Sequence, residues 1–280
     1  AMTDTDVNRT AILFLSHLSD RVTLNRFQTL SEQSPAEYDT YWIHDSDHGD
    51  LPQTVKAKES YSFGIDDANT LGHPHKYTNF ISGNAHIPII LFAFDHSEYN
   101  RFWVIEYDVS FTGCWSTFFR RTEVDPSDLL TSSIRRVEDQ PAWPHWKTFQ
   151  HPSRSTSDFR LLASFNPIYR ISRQALEHIH KSQISGWKGD YEVLMPTLLH
   201  HEGIPISDFS KSSEFASKEI GDALCIRDVT HRYRPPMYNT GRSPEMIYHP
   251  VKPPYWFYLS TKDRFRDHLN RLVRKLKPVN

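Results

Sequence analysis

Only two cysteines, Cys114 and Cys225, occur in 280 residues. Two thiols without metal-ligand spacing exclude a disulfide-stapled scaffold and a cysteine-held zinc site, and they favour a reducing compartment, with the cytoplasm as the default. No run of about 18 apolar residues is present, so no transmembrane helix is expected. The N-terminal stretch also lacks the charged-then-apolar pattern of a secretory leader. Net charge is small: 32 Lys and Arg against 34 Asp and Glu leave a formal -2, which disfavours a general nucleic-acid binder. Nor do the ten glycines build a Walker loop, a Gly-x-Ser-x-Gly elbow or a dinucleotide fingerprint, so ATPase, serine hydrolase and Rossmann dehydrogenase readings fall away.

What remains is a chain able to bury one sizeable core, with 38% hydrophobic and 24% charged residues and alternating strand and helix signals. Ala11 to Leu15 reads as an apolar strand, Val22 to Leu30 has helical spacing, and Tyr38 to Ile43 reads as a second strand. Strand, helix, strand at this spacing is the unit of a parallel sheet, whose ligands gather beyond the carboxyl ends of its strands. The second strand runs into His44, Asp45, Ser46, Asp47 and His48, a polar loop better placed to contact a nucleotide or water than to form a metal cluster.

Farther along, Ile87 to Phe94 is apolar, Leu129 to Ile134 and Leu161 to Phe165 read as strands, and Ser172 to Ile184 has the spacing of an amphipathic helix. Between them, Pro141 to Pro152 is expected to be a loop carrying Trp143 and Trp146. Gly186 to Leu199 is a loop leading into a second helical stretch, with Asp190, Tyr191 and Glu192 at its mouth. Pro235 to Pro254 is proline-rich and irregular. From Thr261 a basic amphipathic helix is expected, with Phe265, Leu269, Leu272 and Leu276 on one side. The domain reading is therefore a main domain over 1–260 and an appended helix over 261–280.

The most informative stretch is Arg101 to Gly113. Phe102, Trp103, Val104 and Ile105 run into Glu106, Tyr107 and Asp108. Alternation along one strand puts both carboxylates on one face, where a hard divalent cation can be held against a phosphate. The competing reading is an ordinary acidic pair on a solvated edge.

The ordered set of an opening strand ending Phe14, Leu15, Ser16, His17, a strand ending Glu106, Tyr107, Asp108, and a late Tyr248, His249, Pro250, Val251, Lys252 resembles a GT-A type glycosyltransferase, of the kind that builds bacterial polysaccharides. The resemblance implies an α/β fold, a GT-A-like, Rossmann-type mixed and mostly parallel sheet flanked by helices. It also implies transfer of a sugar from a nucleotide-sugar donor to a saccharide or lipid-linked glycan acceptor. Glu106, Asp108 and His249 would hold Mn or Mg on the donor diphosphate, Glu106 standing where the family usually has Asp, and Lys252 would neutralise that diphosphate. Ser16, His17 and Asp45 fall on the donor side.

An inverting transfer also needs a general base, for which Glu192 is the first choice and Asp190 the second; a retaining transfer needs none. The competing reading of both is an ordinary acid at a helix N-terminus. Trp143, Trp146 and Trp187 would stack on acceptor sugars or close the edge of a core. His249 and Lys252 have bland alternatives as a core-edge histidine and a solvated lysine. The basic C-terminal helix either packs on the domain or makes a peripheral contact with the inner face of a membrane. Two other classes stay open: a metal-dependent hydrolase using Glu106, Asp108 and His249, and a non-catalytic carbohydrate-binding protein using the tryptophans.

Overall fold

The computed structural model of the chain describes residues 9–78, 83–210, 214–220, 225–228 (backbone only) and 245–252. The expected helix over 261–280 and the proline-rich stretch before residue 245 lie outside the described residues.

The opening unit forms as its periodicity requires. Strand β1 (Thr10–Ser16) is apolar and buried, and helix α1 (Arg21–Gln33) follows. Asp20 caps that helix, its carboxylate accepting the N–H groups of Val22 and Thr23 at 2.9 and 3.3 Å, a contact worth about 1 kcal/mol. Strand β2 (Tyr38–Asp45) then pairs with β1 in parallel. Strand β3 (Ser60–Phe63) and the short helix α2 (Ile65–Asn69) follow. The apolar run beginning at Ile87 is helix α3 (Ile87–Asp95), with residues 87–93 all buried. A helix apolar all round belongs inside the core.

Strand β4 (Arg101–Glu106) returns to the sheet beside β1. After it come β5 (Ser110–Phe111), α4 (Trp115–Glu123), β6 (Leu129–Arg136), β7 (Leu162–Ser172), α5 (Arg173–Ile184), α6 (Tyr191–His201), β8 (Ile206–Asp208), β9 (Cys225–Asp228) and β10 (Met246–His249). The main sheet has seven strands in the order β3-β2-β1-β4-β7-β6-β8. It is mostly parallel, with β7 running against both neighbours. One face packs under α3, α5 and α6, and the other under α1 and α4. The fold is thus α/β with helices on both faces, in keeping with a Rossmann-like sheet. Trp42, Trp103, Phe102 and Phe119 are among its fully buried side chains, each contributing about 1.5–3 kcal/mol. No helix among the described residues is long and apolar enough to cross a membrane.

Four expectations change. The strand expected over Leu161 to Phe165 continues to Ser172, because β7 is sandwiched between β4 and β6 and can stay buried far beyond its first apolar run. The loop expected through Leu199 ends at Asp190, where the capping carboxylate starts α6. The irregular reading of Pro235 to Pro254 fails at Met246–His249, which pairs antiparallel with β5 and parallel with β9. Finally, β4 stops at Glu106 and Asp108 lies in the following turn, so the two carboxylates do not meet by strand alternation.

Candidate metal and donor site

The chain leaves β1 toward β2 on one side and later enters β4 on the other side of β1. The carboxyl ends of β1 and β4 therefore flank the point where strand order reverses, the crevice in which open α/β sheets bind ligands. Ser16 and His17 stand at one lip, and Glu106 to Asp108 at the other. Tyr107 donates its N–H to Leu15 O at 2.9 Å, and its ring meets the His17 ring edge-on at 4.9 Å.

Three features bring the late segment to this turn. Strand β10 pairs with β5 just beyond Asp108. Val251 donates its N–H to Asp108 O at 2.8 Å. The guanidinium of Arg26, on α1, donates to Tyr107 O and Val251 O at 2.9 and 2.7 Å, clasping the two segments.

His249 Nε2 consequently lies 3.2 Å from Glu106 Oε2 and 3.2 Å from Asp108 Oδ1, while Lys252 Nζ lies 2.5 Å from Asp108 Oδ2. Lys252 also reaches the Tyr107 hydroxyl and sits 4.4 Å over its ring. On the other side of Glu106, the Tyr191 hydroxyl donates to Oε1 at 3.3 Å.

Burial alone would raise the Asp108 carboxyl, but His249 and then Lys252 outweigh it and hold Asp108 below the usual carboxylate range. For His249 burial works downward, and Asp108 followed by Glu106 lift it to about 10. Lys252 is likewise raised against its burial, chiefly by Asp108. Two acids thus face two cations, a balanced cluster at neutral pH.

The donor set fits a divalent cation. Ligand atoms of Glu106, Asp108 and His249 all lie within 4.8 Å of one another. Asp108 Oδ1 and His249 Nδ1 are buried without a hydrogen-bond partner among the described residues. A buried carboxylate oxygen left without a hydrogen bond is costly unless a cation takes it. Two carboxylates with one imidazole suit Mn, and less strongly Mg.

Glu192 enters from helix α6 and rests on the neighbouring strand β7. It is the second residue of α6, partly buried, and its Oε1 accepts the Asn166 N–H of β7 at 3.3 Å. The adjacent Phe165 packs on the His249 ring, with centroids 5.3 Å apart, so one stretch of β7 touches both the cluster and Glu192. Burial and then the charge of Asp190 push the Glu192 carboxyl up to about 8. Pro196 lies within α6 and has no N–H to give the Glu192 carbonyl, the usual cost of proline in a helix interior.

Asp190 is differently occupied. It caps α6 by accepting the Glu192 N–H at 3.0 Å and pairs with His145 Nδ1 at 2.7 Å. Gly83 (φ +77°) packs so closely that an added Cβ would stand 3.2 Å from the Asp190 carboxylate. At the end of β1, Ser16 Oγ accepts from Leu18 N and donates to Leu18 O; His17 keeps a solvent-exposed face, but the side of its ring against the protein is desolvated, which together with Lys252 lowers it. Asp45, at the end of β2, accepts from His48 Nδ1 at 2.8 Å.

The tryptophans divide. Trp146 and Trp187 are 5% and 7% exposed and belong to the core. Trp146 donates Nε1–H to Gln140 O at 2.8 Å, and Trp187 packs on Phe149 and Phe159. Among the described residues this burial favours the alternative in which both close the edge of the core over the one in which they stack on acceptor sugars. Trp143 is half-buried, with the Arg135 guanidinium 4.5 Å over its ring.

The residues that sequence reasoning missed are the supports. Nothing in the pattern of α1 marks Arg26 as a clasp. Tyr191 was visible only as the neighbour of Glu192, and Asn166 acts through its backbone. A scan against protein-family models finds no match to this chain, and a search of curated proteins finds none.

Proposed function

We propose that the chain is a GT-A-like glycosyltransferase that moves a sugar from a nucleotide-sugar donor to a glycan acceptor with the help of a divalent cation. The observation that carries this reading is the convergence of Glu106, Asp108 and His249 at the reversal point of the sheet, with Lys252 beside them. Such an arrangement suits a diphosphate, whose charge calls for both a cation and a lysine.

When bound, the cation would be held by Glu106, Asp108 and His249 and would supply Lewis-acid stabilisation of the leaving diphosphate. The residues of the chain do the rest. Tyr191 orients Glu106 through its hydrogen bond, and Lys252 adds positive charge at the diphosphate. Glu192, raised to about 8, takes the proton from the acceptor hydroxyl. The acceptor oxygen forms the new bond to the anomeric carbon as the bond from that carbon to the diphosphate oxygen breaks, and the electron pair leaves with the nucleoside diphosphate. This assignment makes the transfer inverting.

The test is incubation of the full chain with a panel of nucleotide sugars and Mn, measuring release of nucleoside diphosphate. Mn-dependent release from one donor class, lost on adding EDTA, supports the reading. Metal-dependent cleavage of substrates without a nucleotide would favour a hydrolase instead.

A further inference from the structure

Strand β6 carries a second feature that the donor cluster does not use. Its pairing with β7 shifts register between Ser132 and Arg135, and Ser133 within that bulge has φ +52°, a conformation that costs a non-glycine residue about 1 kcal/mol or more. The strain is held in place from the β8 side: Ser133 donates its N–H to Ser210 Oγ at 2.9 Å, and Ile134 donates to Asp208 Oδ2 at 2.7 Å. Bulges of this kind re-aim side chains at the rims of sheets. Here the bulge opens onto a cavity of about 320 Å³ lined by Arg135, Arg136, Asp139, Asp208, Glu214 and Phe215, within the size range of small-ligand sites.

Strand order places this cavity relative to the donor site. The cluster stands at the end of β4, Glu192 rests on the backbone of β7, and the cavity opens at the end of β6. These are three adjacent strands in the order β4, β7, β6, with neighbours about 4.8 Å apart. Arg135, in the lining, holds its guanidinium 4.5 Å over the Trp143 ring. By strand order the candidate base, resting on the backbone of β7, falls between the donor cluster and the cavity.

The lining also indicates the ligand. Asp139, Asp208 and Glu214 face Arg135 and Arg136, and Arg160 pairs with Glu214 at 2.5 Å, so acids and guanidiniums balance and a carboxylate or phosphate group gains no net attraction. Arg136 is already held by Glu214 in a two-point ion pair, and Asp139 accepts the Arg136 N–H at 2.8 Å. Planar polar groups of both donor and acceptor character, beside the Phe215 ring, match the hydroxyls and apolar face of a sugar ring. Resting on the transferase reading, we infer that the cavity at the β6 bulge is a pocket for a neutral saccharide acceptor, which presents a hydroxyl to Glu192.

The experiment is saturation-transfer NMR on the full chain with neutral disaccharides (cellobiose, maltose and lactose) and a glucuronate-terminated disaccharide, each with and without UDP and Mn. Binding of a neutral disaccharide in preference to the uronate, weakened at least tenfold in both Asp139→Ala and Phe215→Ala, supports the pocket. Thermal melting checks that each variant is folded, and the exposed Asp139 serves alone if Phe215→Ala does not fold. No neutral binding, a preference for the uronate, or neutral binding unchanged in Asp139→Ala overturns the inference, while UDP and Mn binding under those conditions leaves the transferase reading standing. Disaccharide binding with no nucleotide binding contradicts the transferase reading and the acceptor role with it.

Discussion

His249 contacts Asp108 at 3.2 Å, yet Asp108 Oδ1 accepts no hydrogen bond among the described residues. The same Nε2 stands 3.2 Å from Glu106, where it is aligned to donate, and one N–H does not serve two carboxylates equally. The oxygen left over is the atom best prepared for a cation.

Asp108 also holds the fold. Asp108→Asn leaves His249 and Lys252 facing each other across a neutral amide in a buried site. Breaking a buried ion pair by removing one partner costs about 3–5 kcal/mol, and the low end is expected because Lys252 retains some exposure. Urea denaturation at pH 7 should show that loss together with loss of Mn binding, and an unchanged midpoint would remove Asp108 from the ion-pair network.

His249 links the site to pH. Its folded value of about 10 exceeds the unfolded value of about 6.5. The stabilisation it provides is thus fully present below about 6.5 and is lost as pH rises toward 10. In His249→Gln this alkaline decline should flatten. Because a metal-bound imidazole must be neutral, Mn binding at pH 7 should also release close to one proton. Calorimetry in two buffers of different ionisation enthalpy measures that number, and a value near zero speaks against His249 as a ligand.

Glu192 gives the opposite sign. An acid raised from about 4.5 to about 8 destabilises the fold progressively as pH climbs through that window. Glu192→Gln should therefore melt at a higher temperature than the parent above pH 8, while turnover falls about 100-fold or more with donor binding retained. Parent turnover should rise with pH toward a plateau above 8. Full activity in Glu192→Gln would end its role as the base.

The tryptophans separate by burial. Trp146→Ala removes a core side chain and should cost about 3–5 kcal/mol, whereas the half-exposed Trp143 should cost less than half as much on the same substitution. Equal shifts in thermal midpoint would show that Trp143 is core as well.

Much of the sheet was legible because its signals are local. The apolar run of β1, the 3.6-residue spacing of α1 and the strand after it announce a parallel unit without help from the rest of the chain. Strand β10 was not legible, since Met246–His249 becomes a strand only by pairing with β5 and β9. Acidic residues ending an apolar run located Glu106 and Asp108, but the turn that joins them to His249 depends on Arg26 and on the Val251 N–H, contacts that no spacing encodes. Trp146 and Trp187 looked like loop aromatics because the short helical turn and bridging loops that bury them carry proline and histidine as exposed loops do.

In the proposed function, Glu106, Asp108 and His249 hold a divalent cation against a nucleoside diphosphate. Isothermal calorimetry of the full chain with a panel of nucleoside diphosphates, in Mn and then in EDTA, tests it directly. The expected result is binding of one nucleotide that weakens at least tenfold in EDTA and in both Glu106→Gln and His249→Ala. Equal affinity with and without metal, or in the variants, would contradict it.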